Sequence, residues 1–175
     1  MQTRNLKLIP HTPELLRALI AGREAYERLS GYRIADGIRE FFVSGEVSAD
    51  YVARLQTATS ADPWVHGFAV VLTAESIVIG SCGYKGPPNE GRVEIGYGIA
   101  PAYQGKGYAT EVAEALTAHA METRRVKTVR AHTLPERNAS GRILHKCGFK
   151  LIGEVNDPED GPVWRWEKTI SESTT

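Results

Sequence analysis

Residues 104–109, Gln-Gly-Lys-Gly-Tyr-Ala, hold the densest chemical signal in the chain. Gly105 and Gly107 permit positive φ and close approach, so successive backbone N–H groups can converge on one concavity. A helix opening at Tyr108 adds its positive end to that field. The product is an anion cradle suited to a phosphate or pyrophosphate, with Lys106 at its rim. Neither common nucleotide motif is present. A P-loop would need Gly at Ala100 and Ser or Thr at Gly107, and the dinucleotide fingerprint would need Gly at Thr110 or Pro101. Two thiols are the other candidates. Cys147 stands beside His145, but adjacent helix residues face different ways, and Cys82 lies in an apolar run. Both read as packing residues, and His132, on a strand, reads as structural.

The elements that must position the cradle follow from periodicity. Leu6 to Ile9 reads as a first strand, and residues 13–29 as a helix opened by Thr12 and Pro13. A second helix carries Ile38, Phe41 and Phe42; a third spans 49–57, with Ser48 as its cap. Residues 64–73, 77–84 and 92–99 read as strands of an antiparallel meander, with a turn at 86–91. Residues 108–123 form the clearest helix, with Ala109, Val112, Ala113, Leu116, Ala120 and Met121 in one stripe. A strand over 126–133, a short helix over 139–146 ended by Gly148, and a strand pair at 149–155 and 163–170 complete the chain. No repeat or linker interrupts it. The expectation is a single domain over 1–170 with a frayed tail, 171–175.

The cradle is more than a bare Gly-x-Gly. Residues 104–109 resemble the Gln/Arg-x-x-Gly-x-Gly/Ala signature of the GNAT N-acetyltransferase family. They follow a strand ending in Ile99-Ala100-Pro101 and precede an amphipathic helix, as in that family. Asn138-Ala-Ser140-Gly-Arg-Ile-Leu144-His-Lys146-Cys-Gly148-Phe149 resembles the family's later helix. The nearest subgroup is the one acting on ribosomal-protein N-termini (RimJ/RimL-like), with its Gly-Tyr-Ala-Thr-Glu string at 107–111. The likeness covers about residues 64–168. It implies an α+β fold: a mixed, largely antiparallel sheet splayed at the cofactor site, with helices on both faces.

The likeness also implies acetyl-CoA as co-substrate, no metal, and transfer of the acetyl group to a primary amine, either a small molecule or a peptide N-terminus. Residues Gln104, Gly105, Lys106, Gly107, Tyr108 and Ala109 would hold the pyrophosphate. The strand end Gly98, Ile99, Ala100 and Pro101 would meet the pantetheine arm, with Asn138 and Ser140 from the later helix. An ammonium cannot attack a thioester, so a base is needed. Glu94 shares a strand face with Gly96 and Gly98, which makes it the candidate; the alternative is a surface carboxylate paired with Arg92 or Arg130. Two positions depart from the family. Leu144 stands where a Tyr would protonate the departing thiolate, leaving Ser140, Tyr108 or water. Arg137 occupies the usual Asn position, with Asn138 one step later, where helix capping is an equal reading.

Composition bounds the function class. The chain has 175 residues, with 21 Lys plus Arg against 21 Asp plus Glu and a net charge of zero. That balance argues against nucleic-acid or anionic-membrane binding as the main role. No apolar run approaches the roughly 20 residues that span a bilayer, and residues 1–9 lack a signal-peptide core, so the expected compartment is the cytoplasm. A homodimer is compatible with all of this. Acceptor selection is expected to fall to residues 22–46 and to the acidic loop 154–163. Two other classes stay open: a non-catalytic acyl-CoA sensor on the same scaffold, and a thiol hydrolase using Cys147 or Cys82 with His132 or His145.

Overall fold

The computed structural model describes residues 1–44 and 48–170; the tail 171–175, expected to fray, lies outside the described residues. Its strands are β1 (Leu6–Pro10), β2 (Arg33–Ile34), β3 (Phe68–Leu72), β4 (Ile77–Tyr84), β5 (Arg92–Ile99), β6 (Thr128–Thr133), β7 (Lys150–Asp157) and β8 (Gly161–Thr169). The helices are α1 (Pro13–Ala21), α2 (Arg23–Ser30), α3 (Ile38–Val43), α4 (Ala49–Thr57), α5 (Pro63–His66), α6 (Tyr108–Glu122) and α7 (Ala139–Lys146).

The strands form one open mixed sheet in the order β1-β3-β4-β5-β6-β8-β7, with β2 beside β4. Neighbouring pairs along that path are antiparallel except β5 and β6, which run parallel. This is the α+β sheet expected from the sequence.

Two expected elements differ. The helix read over 13–29 is two helices, because Gly22 adopts an extended backbone and α2 packs back on α1. The 3.6-residue period survives that break, so periodicity alone cannot reveal it. Trp64 belongs to α5 rather than to a strand: Asp62 caps the turn through the Trp64 N–H, and Pro63 occupies its first position. The Trp64 ring then packs on Tyr84, with centroids 4.6 Å apart.

Helix α6 is held by packing. Val112, Ala113, Leu116 and Ala120 are all fully buried against the sheet, and the Tyr84 hydroxyl donates to the Leu116 carbonyl at 2.7 Å. Each buried Val or Leu contributes about 1.5–3 kcal/mol, well above any propensity difference within a helix. The N-terminus of α6 is therefore a fixed point. Glu111 in its first turn accepts from the Asn5 N–H at 2.7 Å and from the Thr3 hydroxyl, tying down the chain's start.

Candidate active site

Between β5 and β6 the sheet opens. Arg92, Val93 and Glu94 pair with Thr128, Val129 and Arg130, and the pairing stops there. On its other side β5 stays paired with β4 as far as Ile99. Within that antiparallel pair the Lys85 N–H donates to the Glu94 carbonyl and the Ala100 N–H to the Ile79 carbonyl. The alternation this sets turns the backbone groups of Tyr97 and Ile99 away from β4, towards the gap. A cleft of about 150 Å³ occupies the opening, lined among others by Glu94, Gly96, Tyr97, His132, Ser140 and Leu144. Glu94 and His132 lie on one sheet face and the α7 residues on the other, so the cleft passes between the strands.

Glu94 sits where the strands part. Its Oε1 is 2.9 Å from His132 Nδ1 and 3.0 Å from Lys85 Nζ. His132 in turn accepts at Nε2 from Arg165 Nε, 3.1 Å away. The register explains the meeting: Arg130 stands beside Glu94 on β5 and Glu167 on β8, and one pleat further His132 stands beside Arg165. The pairings expected for Glu94 are replaced. Arg92 reaches Glu90 instead, and Arg130 binds Glu167 at 2.6 Å. His132, read from sequence as structural, is the direct neighbour of the candidate base. Burial works against the Lys85 charge, but the hydrogen bond and charge of Glu94 outweigh it, with Asp160 and Asp157 adding to the pull; the ammonium pKa ends above its ordinary value.

The cradle forms as the glycine spacing requires. Gly105 has φ 74° and Gly107 φ 85°, both left-handed, and Gly107 caps α6. The first amide from this stretch to find a carbonyl is that of Glu111, bonded to Gly107. Among the described residues, the N–H groups of residues 105–110 meet no protein acceptor. Such a run of donors at a helix N-terminus fits a diphosphate. Gln104 braces the loop, donating from Nε2 to the Ile99 carbonyl at 2.8 Å. Lys106 is exposed, with its Nζ 5.4 Å from the centre of the Tyr103 ring.

Residues 5–150 match the acetyltransferase (GNAT) domain model. The chain belongs to the GNAT acetyltransferase family. An uncharacterized N-acetyltransferase, p20 of Bacillus licheniformis, is 30% identical over 93 residues, which are 53% of this chain and 52% of the relative. The chain thus spans about half the length of that relative. Among solved structures, the RimL ribosomal L7/L12 α-N-protein acetyltransferase bound to coenzyme A superposes with TM-score 0.62 at 16% identity, covering 96% of both chains. AAC(6')-Ib bound to ribostamycin and coenzyme A superposes with TM-score 0.63 at 20% identity, covering 94% of this chain and 93% of that one. At those identities the likeness is one of fold.

The remaining GNAT positions sort as follows. Asn138 Oδ1 caps α7 by accepting from the Gly141 N–H at 2.9 Å, so that oxygen is committed to the helix. Ser140 and Leu144, one turn apart on α7, both line the cleft, and Leu144 is 1% exposed. Ala100 is buried, whereas Gly98 is exposed on β5. The thiols are poor nucleophiles. Cys82 and Cys147 are buried, and burial pushes both thiol pKa values up. The hydrogen bond formed by Cys147 Sγ runs to the Thr110 carbonyl, not to a histidine. Among the described residues no helix is long and apolar enough to cross a membrane.

Proposed function

We propose that this chain is an acetyl-CoA-dependent N-acetyltransferase acting on a primary amine, either a small molecule or a protein N-terminus, by direct attack in a ternary complex. The observation that carries the reading is the cleft where β5 and β6 part, which has the Glu94 carboxylate in its lining; the free amides of residues 105–110 follow the far end of the same strand β5. The amides of residues 105–110 would hold the pyrophosphate, with Gln104 bracing the loop and Lys106 at its edge. Ile99, with Tyr97, offers backbone groups to the pantetheine arm; Gly98, Ala100 and Pro101 shape that strand end.

Bringing thioester and amine into attack geometry supplies most of the catalysis, with roughly 7–11 kcal/mol available from positioning alone. Glu94 takes the proton of the incoming ammonium, directly or through one water. The freed nitrogen attacks the thioester carbon, and a backbone amide at the opening steadies the oxyanion. The carbon–sulfur bond then breaks as the nitrogen sheds its second proton, which passes to the sulfur through Ser140 or water. Neighbours of the same fold, bound to coenzyme A and in one case to an aminoglycoside, support amine chemistry on this scaffold.

Calorimetric titration with acetyl-CoA, coenzyme A and ATP is the test. Micromolar-range binding of the first two with little for ATP is expected, and no binding to any of the three removes the proposal. A non-catalytic acyl-CoA sensor is the second reading, favoured by Leu144 in place of an acid. It predicts binding without turnover across a panel of amines.

A further inference from the structure

Arg165 has no carboxylate within salt-bridge distance among the described residues, although Arg130, one pleat away on the neighbouring strand, is paired with Glu167. Its Nε hydrogen bond goes instead to the imidazole of His132. We propose that Arg165 is a positioning residue, which holds His132 as its Nδ1–H tautomer and thereby keeps the Glu94 carboxylate aimed as proton acceptor. The inference rests on the reading of Glu94 as the base.

The argument is one of donors and acceptors. A guanidinium only donates, so His132 Nε2 must offer its lone pair to Arg165. The imidazole proton is then on Nδ1, and Nδ1–H donates to Glu94 Oε1 at 2.9 Å. While Nε2 accepts from Arg165 it cannot hold a proton of its own. The His132 side chain is 9% exposed and that of Glu94 21%, so water competes little for these sites. Glu94 Oε1 thus receives two donors, His132 and Lys85. Oε2 accepts no protein hydrogen bond among the described residues and is the oxygen free to take the amine proton.

The charged surroundings of His132 are Glu94 from β5, Lys85 from the β4–β5 turn, and Arg165 with the Arg130–Glu167 pair from β6 and β8. Asp157 and Asp160 contribute from the β7–β8 end. Of these, Arg165 alone touches Nε2. Without it, Nε2 is free to take a proton, by tautomer exchange or from solvent as pH falls. Exchange leaves an Nδ1 lone pair facing Glu94, and an imidazolium draws the carboxylate into a closed ion pair. Either state blunts the base.

The test pairs pH–rate profiles for Arg165→Met, Arg165→Lys and Glu94→Gln with nitrogen-15 NMR of the histidine rings. In Arg165→Met the acid-side midpoint of kcat should move up by roughly one pH unit, the equivalent of one lost hydrogen bond to a charged group. Activity should recover as pH rises, with KM for acetyl-CoA unchanged. Arg165→Lys, which keeps a charged donor, should return the midpoint part-way. The wild-type His132 signal should be that of the Nδ1–H tautomer, and the Met variant's a mixture.

A uniform loss of activity at every pH with an unmoved midpoint would make Arg165 structural, and an Nε2–H tautomer in the wild type would overturn the proposal outright. Glu94→Gln separates the two levels of the argument. Full activity with a wild-type profile removes Glu94 as the base. An inactive Glu94→Gln beside an unmoved Arg165→Met removes the role of Arg165 alone.

Discussion

Replacing Gly107 by valine tests the anion cradle with little disturbance elsewhere. Its φ of 85° lies in the left-handed region, where an L side chain costs about 1–2 kcal/mol in backbone energy. A Cβ built there meets no heavy atom within 4 Å, so there is no packing penalty, and the buried stripe of α6 keeps the fold. The bound diphosphate pays instead. Either the isopropyl group stands over the amides, or φ relaxes and rotates the peptide so that one N–H group leaves the concavity. Each charge-assisted hydrogen bond lost is worth about 1.5–3 kcal/mol, so the Kd for coenzyme A should rise roughly ten- to a hundredfold. Gly31→Val is the matched control: φ is 76°, its Cβ also meets nothing within 4 Å, and it caps α2 away from the cradle. Calorimetry and thermal melts on both variants should show similar losses of Tm but weakened binding only for Gly107→Val. Equal Kd values in the two would refute the cradle.

Two further outcomes follow from buried groups. His11 is 2% exposed, its Nε2 lies 2.9 Å from the Tyr26 hydroxyl, and burial, then the neighbouring His66, lower its pKa from 6.5 to about 4. The folded state therefore binds this proton less readily than the unfolded chain, so stability is full above pH 6.5 and is lost as pH falls towards 4. Between pH 7 and pH 5 the loss is roughly 2 kcal/mol; His11→Phe should flatten that interval in urea unfolding, and parallel curves would exclude His11 as the source. Cys147→Ala should lower stability by about 1 kcal/mol and leave kcat intact, whereas a folded but inactive variant would restore a thiol mechanism.

What the sequence disclosed was local. The cradle could be read because glycine spacing, a strand end and a helix start all lie within a few residues, and α6 and α7 because their apolar stripes repeat in register. The network around Glu94 could not be read. Glu94 and His132 are 38 residues apart, and His132 and Arg165 are 33 apart. They meet only because β5 and β6 run parallel for three pairs and β8 then returns beside β6. Nothing in the local pattern carries those registers. Arg92 and Arg130 looked like partners of Glu94 because they lie close in sequence or on a neighbouring strand, yet each had a nearer carboxylate. Asn138 shows the converse: its capping role is local, and capping is what the structure displays. The break at Gly22 escaped because two helices folded back on one another present the same apolar period as one.

Leu144 decides how strongly the sensor reading competes with the transferase reading. A tyrosine at that position would protonate the sulfur as the tetrahedral intermediate collapses; a leucine that is 1% exposed offers no proton. The penalty is bounded by the leaving group itself. A free thiol has a pKa near 8.5, so releasing thiolate rather than thiol at pH 7 costs about 2 kcal/mol. That is a factor of roughly thirty, against the roughly 7–11 kcal/mol that positioning supplies. Ser140, one turn before Leu144 on α7 and lining the same cleft, can recover part of the difference by donating a hydrogen bond to the sulfur. Losing the base is different in kind, because a protonated amine has no lone pair with which to attack. On the proposed reading the chain keeps a base, Glu94, within a three-strand network and lacks the tyrosine acid, which is the pattern of a transferase slowed at one step rather than of a scaffold emptied of its chemistry.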